Sequence, residues 1–199
     1  MTKIKLCGLT RSEDIKIANE LQPDYIGFVF WDRSKRHITV DKARELKDAL
    51  SAGIKAVGVF VDEEIDKVAS LLNDGIIDIA QLHGNEDEAY IADLRSRTYN
   101  QVIKAYKIRS KEDVEKATSS PADLILLDAG MGDGETFDWD LIRQMNRPYI
   151  LAGGLDCDNV AKAVRKLSPY GVDVSSGIET DGAKDPVKMK DFVAKVRKR

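Results

Sequence analysis

Eight short runs of apolar, largely β-branched residues recur along the chain at intervals that leave room for one helix and little more. KIKLC begins at Lys3; YIGFVF, KAVGVFV, DIAQLHG, QVIKAY, LILLD, YILAGG and GVDVSS begin at Tyr25, Lys55, Asp78, Gln101, Leu124, Tyr149 and Gly171, so that successive starts lie 22 to 30 residues apart. Parallel strands need a crossover of a dozen or more residues, and this spacing admits one such crossover between each pair. The runs read as near-continuously apolar, as strands covered on both faces do. Between them, SEDIKIANEL, VDKARELKDAL, EEIDKVASLLN, EDEAYIADLR, CDNVAKAVRKL and DPVKMKDFVAKVRK carry apolar residues at helical period. Ser12, Asp41 and Asp62 are the expected N-caps. Two further helices, short and irregular, are expected around residues 110–118 and 138–145.

Strand followed by helix, eight times and without a Pro/Ser/Gly-rich linker, predicts an α/β fold: a (βα)8 TIM barrel with a closed parallel sheet, residues 1–199 forming a single catalytic domain. An open doubly wound sheet of six strands is the alternative. With 43% hydrophobic and 33% charged residues, the chain has material for a substantial core and a solvated surface.

The formal net charge is −3, with basic residues spread among acidic ones. That balance gives no electrostatic reason to expect a nucleic-acid partner or an anionic membrane surface, and points to a small ligand. The two cysteines, Cys7 and Cys157, form no disulfide framework and lack the CxxC spacing of a metal or redox site. MTKIKLCGLT has no long apolar h-region, and no stretch reaches the roughly 18 apolar residues of a membrane span. A cytoplasmic location is expected.

Barrels of this kind carry their chemistry at the carboxyl ends of the strands. The residues that close them here are Cys7-Gly8, Phe30 with the loop WDRSKRH, Asp62, His83-Gly84, Asp128, Gly153-Gly154 and Ser175-Ser176-Gly177. LAGGL and VDVSSGIE, on the last two strands, offer glycine backbone N–H groups and serine hydroxyls suited to a phosphate, which barrels often hold between these loops. A nearby helix amino terminus would add partial positive charge. Arg36, in RSKRH, has the planar fork that grips a carboxylate. GDGETFDW, after the sixth strand, reads as a ligand-covering flap, and Cys157 as a packing residue.

Taken in order, KLCGLT, GFVF with SKRHI, VGVFV, QLHG, LLD, GETFDW, LAGGL with Asn159-Val160, and VDVSSGIE with GAKD resemble the phosphoribosylanthranilate isomerase family over nearly the whole chain. The resemblance implies a (βα)8 barrel, a role in tryptophan biosynthesis, and an Amadori rearrangement of a phosphoribosyl-aminoaldose to an aminoketose. It also implies Cys7 as general base and Asp128 as general acid. Substrate binding falls to Arg36 at the anthranilate carboxylate and to Gly154, Ser175, Ser176 and Gly177 at the phosphate, with His83 and Asp173 at active-site positions of less settled role. Asp128 would need burial or an acidic neighbour to keep a proton, since a free aspartic acid has a pKa near 3.9, and Cys7 would need thiolate character from its surroundings.

The implied chemistry needs Brønsted groups only, so no metal and no organic cofactor is expected. The partner is a small phosphosugar, with the protein a monomer or homodimer. The chain departs from the family pattern at Lys35, where proline is usual, and at MGDGE, where GGTGK is common. Those departures bear on loop shape and substrate affinity, not on reaction type. Two other readings stay open from residues alone: a related phosphosugar isomerase or epimerase, and a non-catalytic barrel that binds a phosphorylated metabolite.

Overall fold

A computed structural model of the chain describes residues 1–128, 139–143 and 145–198. Eight strands, β1 (Lys3–Cys7), β2 (Tyr25–Val29), β3 (Lys55–Phe60), β4 (Ile79–Leu82), β5 (Gln101–Lys107), β6 (Leu124–Asp128), β7 (Tyr149–Leu151) and β8 (Gly171–Val174), pair in chain order. All pairings are parallel, and β8 returns to β1 to close the barrel, so the open-sheet alternative is excluded. A short antiparallel hairpin, β9 (Glu179–Thr180) with β10 (Ala183–Lys184), follows β8.

The outer helices are α1 (Ser12–Leu21), α2 (Val40–Asp48), α3 (Ile65–Asn73), α4 (Glu88–Thr98), α5 (Lys111–Ser119), α6 (Val160–Leu167) and α7 (Pro186–Arg197). The short fifth helix is therefore present. Between β6 and β7 the described residues form a single 3-10 turn, Trp139–Ile142, in place of the expected helix over 138–145. Apart from Trp139, the expected flap GDGETFDW lies outside the described residues.

The expected N-caps do not hold, and side-chain partners explain why. At α1 the cap is Arg11, because the Asp14 carboxylate reaches back to accept the N–H groups of Thr10 and Arg11, each at 3.0 Å; Ser12 falls inside the first turn. Thr39 Oγ1 caps α2 by accepting from Lys42 N, which leaves Asp41 in the first turn. The cap of α3 is Glu64. Asp62 instead sits at a φ of 52°, with Oδ2 accepting from Asn85 Nδ2 at 3.1 Å, so it serves the loop after β4.

Strand alternation sorts the core into two layers. Outward residues such as Ile4, Leu6, Ile26, Phe28, Val102 and Leu127 are almost fully buried against helix residues including Ile15, Leu46, Leu94 and Phe192. Inward residues Val57, Ile79, Ile103, Leu126 and Ile150 pack on one another as an apolar floor. Cys157 is half-buried against the outer layer and donates weakly to Lys188 O, consistent with a packing role.

Each floor residue fills space that nothing else can reach, so truncation leaves a cavity. Ile103→Ala is expected to cost about 2–5 kcal/mol, measured as a drop in urea midpoint at unchanged m-value; a loss below 1 kcal/mol would mean the floor is loosely packed.

Candidate active site

The alternation that builds the floor also aims the chemistry. Two residues above Ile79 lies Gln81, then His83; two above Leu126 lies Asp128; on β1 Lys5 and Cys7 take the same inward face. Above the floor opens a cavity of about 570 Å³. Cys7, Arg36, His83, Asp128 and Asp173 line it, as do the loop residues Gly154, Ser175 and Ser176. Gly177 stands behind them. A Cβ there would come within 2.0 Å of Leu155 O, so glycine is what lets the β7 and β8 loops meet at the Asp156–Gly177 bridge.

His83 is held from both sides. The loop that carries it is tied down by the Glu86 carboxylate, which accepts from Asp62 N and Gly84 N at 2.9 Å and from the buried Lys104 ammonium at 3.0 Å. Gln81 Nε2 donates to His83 Nδ1 at 3.1 Å, and His83 Nε2 lies 3.1 Å from Asp128 Oδ2. With the Gln81 amide in this orientation Nδ1 accepts, so Nε2 carries the hydrogen and donates to Asp128 Oδ2. Gln81 Oε1 is buried without a partner among the described residues.

Cys7 is buried, and burial pushes its thiol up from the ordinary range, with Asp173 adding to the rise while Lys5 and Lys184 oppose it. These surroundings favour the neutral thiol, against the expected thiolate character. Burial alone would lower the Lys5 ammonium, but Asp173 and Cys7 outweigh it and the group is raised. The register sets this up, because Lys5 on β1 lies directly opposite Asp173 on β8 and their side chains meet at 3.0 Å.

Arg36 reaches the cavity with its fork already engaged. Nε and Nη2 donate to the two carboxylate oxygens of Glu179 at 2.6 and 2.7 Å. Glu179 also accepts from Lys184 Nζ at 2.6 Å. Burial works against the Glu179 charge, yet the two cations outweigh it and hold the carboxyl below its usual range. Lys184, mostly buried, is pushed down by desolvation despite that partner.

In the phosphate loops Asp156 Oδ1 accepts from Asp158 N at 2.8 Å and Asn159 N at 2.9 Å, which shapes the turn ahead of α6, while the Asn159 N-cap makes no side-chain cap bond among the described residues. Ser175 Oγ donates to Cys7 O at 3.2 Å, which commits its proton to the strand. Gly154 has a φ of 63°, and Asn159 Nδ2 donates to its carbonyl at 2.7 Å, fixing the turn.

Sequence reading missed Lys5, Gln81, Glu179 and Lys184. Lys5 and Gln81 sit two places before Cys7 and His83, so their inward face was readable from strand period. Glu179 and Lys184 depend on the β9–β10 hairpin folding back over Arg36, for which no local pattern exists.

Fold and site together define a closed (βα)8 barrel with a cavity at the carboxyl ends of its strands, lined by ionisable side chains. The model of the family described as N-(5'phosphoribosyl)anthranilate (PRA) isomerase matches residues 4–195. The N-(5'-phosphoribosyl)anthranilate isomerase of Thermoanaerobacter sp. (strain X514) is 46% identical, covering 99% of this chain and 98% of that protein. A solved phosphoribosyl anthranilate isomerase, in complex with reduced 1-(o-carboxyphenylamino)-1-deoxyribulose 5-phosphate, superposes with a TM-score of 0.89 at 36% identity, covering 99% of both chains. Monomers generated from the dimeric enzyme of Thermotoga maritima superpose with a TM-score of 0.88, again at 36% identity and 99% of both chains. The chain belongs to the phosphoribosylanthranilate isomerase family, and is an aldose–ketose isomerase of tryptophan biosynthesis.

Two expectations follow from the site. His83 is one of only two histidines, so 15N shifts of labelled histidine at neutral pH should show its ring as the Nε2–H tautomer, and Gln81→Leu should convert it to a tautomer mixture; an Nδ1–H signal in the parent protein would refute the assignment. Because the folded Glu179 carboxyl is held below its unfolded value, its contribution to stability is complete above about pH 5 and is lost as pH falls through the lowered folded value. Acid titration of the thermal midpoint should therefore be flatter in Glu179→Gln than in the parent protein.

Proposed function

We propose that residues 1–199 act as one catalytic domain in which Asp128 and Cys7 carry out the two proton transfers of the Amadori rearrangement. The supporting observation is their convergence from β6 and β1 on one cavity of about 570 Å³. Strands β1 and β6 are three places apart around the closed barrel, which separates their backbones by roughly 14 Å in a barrel of this strand number. Two inward side chains then leave a gap the width of a furanose.

The substrate is N-(5-phosphoribosyl)anthranilate. Asp128, as the acid, protonates the ring oxygen; the C1–O bond breaks while the anilino nitrogen lone pair forms C1=N. The carboxylate left behind accepts the His83 Nε2–H, which stabilises it more than the acid it came from. Cys7, as thiolate, removes the proton from C2, and the C–H electrons form the C1=C2 bond of the enolamine and neutralise the iminium nitrogen. Loss of the C2 hydroxyl proton with protonation at C1 gives 1-(2-carboxyphenylamino)-1-deoxyribulose 5-phosphate. C1 is reduced and C2 oxidised within one molecule. Brønsted groups supply every step, so the scheme assigns no metal and no organic cofactor.

In this reading Gly154, Ser175, Ser176 and Gly177 hold the phosphate through backbone N–H groups and the Ser176 hydroxyl, and Arg36 meets the anthranilate carboxylate by sharing or giving up its bond to Glu179. Asp173 acts through Lys5. No helix among the described residues is long and apolar enough to cross a membrane. The enzyme is assigned to the cytoplasm, without nucleic-acid or membrane partners, as a monomer or a homodimer.

Generating the fluorescent substrate in situ tests the scheme directly. Adding the protein in EDTA should abolish the fluorescence, whereas Cys7→Ala and Asp128→Asn, each shown to be folded by circular dichroism, should each lower the rate by about 10²–10⁴-fold. Near-normal turnover in either variant removes that residue from its role.

A further inference from the structure

Lys5 does not line the cavity, and its side chain is fully buried beneath it. A buried ammonium is costly unless charges around it compensate. Five permanent charges surround Cys7. Lys5 on β1 pairs with Asp173 on β8 at 3.0 Å; Arg36, from the loop after β2, and Lys184 on β10 share the single carboxylate of Glu179 on β9. Among the described residues three cations therefore face two carboxylates, an excess of one positive charge while Cys7 is a thiol. His83 and Asp128 face this cluster from β4 and β6 across the cavity. Ionising Cys7 makes the inner cluster neutral.

We propose that Lys5 is a positioning residue for the base: its ammonium is the counter-charge that holds the Cys7 thiolate, and Asp173 divides that charge by competing with the sulfur for it. This rests on Cys7 being the base of the proposed reaction. The geometry favours Lys5 over the other two cations. Lys5 and Cys7 occupy successive inward positions of one strand, and Lys5 is bound to one carboxylate. Arg36 and Lys184 are fastened to Glu179, and Lys184 also donates to Ser175 O and Oγ. Burial raises the thiol, Lys5 pulls it down and Asp173 pushes it up, so the two charges of the pair act on it with opposite signs.

The two partners of the pair have opposite signs, which separates an electrostatic role from a merely structural one. Full-length protein is alkylated with iodoacetamide across pH, and Cys7 is followed by peptide mass spectrometry so that Cys157 is counted separately. Lys5→Met is expected to raise the pH midpoint of Cys7 alkylation by about one pH unit, with Lys5→Arg staying nearer the parent protein, while Asp173→Asn lowers the midpoint by a similar amount. Midpoints that move the same way in Lys5→Met and Asp173→Asn, or do not move, overturn the proposal. Should Lys5→Met fail to fold, the fall in Asp173→Asn decides the matter alone: its absence overturns the role. The midpoints are read without substrate, so a missing Lys5 effect with turnover still dependent on Cys7 rejects Lys5 alone, whereas turnover surviving Cys7→Ala rejects the base.

Discussion

A closed parallel sheet gives every strand one inward face, and everything in this protein depends on how that face is filled. The same two-residue period lays down Val57, Ile79, Ile103, Leu126 and Ile150 as a dry floor and then, one step higher, presents Lys5, Gln81 and Asp173. One further step brings Cys7, His83 and Ser175 to the mouth, with Asp128 directly above Leu126 on β6. The floor excludes water from below, which makes the charges above it act at close to full strength. Slipping one strand by a residue would turn its polar set toward the helices and its outer apolar set into the cavity.

That arrangement explains which parts of the fold were legible. All eight strands announced themselves because their outer faces are almost wholly apolar, Lys104 on β5 being an exception, and most of their inner positions are too. For the same reason Lys5 and Gln81 were easily passed over: inside an apolar run, a single lysine or glutamine reads as an interruption unless its parity with Cys7 or His83 is counted. The N-caps were placed wrongly because each depends on which donor a carboxylate takes. Asp14 reaches backward to Thr10, and Asp62 serves Asn85, 23 residues away. The region after β6 carried no strong period, and its described part is one 3-10 turn.

Arg36 shows a limit of another kind. Its identity and position were readable, and so was its suitability for a carboxylate, but the carboxylate it meets belongs to the protein. Glu179 occupies the fork in the bidentate geometry an anthranilate carboxylate would use, and shares its charge with Lys184. If Arg36 takes the substrate carboxylate as proposed, one carboxylate is traded for another, and recognition at this end turns on the difference between two similar ion pairs. The affinity of the complex must then draw heavily on the phosphate and the aromatic ring.

In the proposed scheme, the order of proton transfers accounts for a base that rests as a neutral thiol. When Asp128 gives up its proton, negative charge appears on β6, where the His83 N–H meets it, and positive charge appears on the substrate as the iminium. That cation is created beside Cys7. It acidifies the C2 proton and favours the thiolate at the same moment, adding to the excess positive charge of the Lys5 cluster. Each pKa unit by which the thiol is raised costs about 1.4 kcal/mol in the resting site. A cation formed within a few ångströms in a water-poor cavity offsets several such units. A resting thiol protects the site from adventitious alkylation and oxidation, and in that scheme the field of the first chemical step favours loss of the thiol proton to solvent.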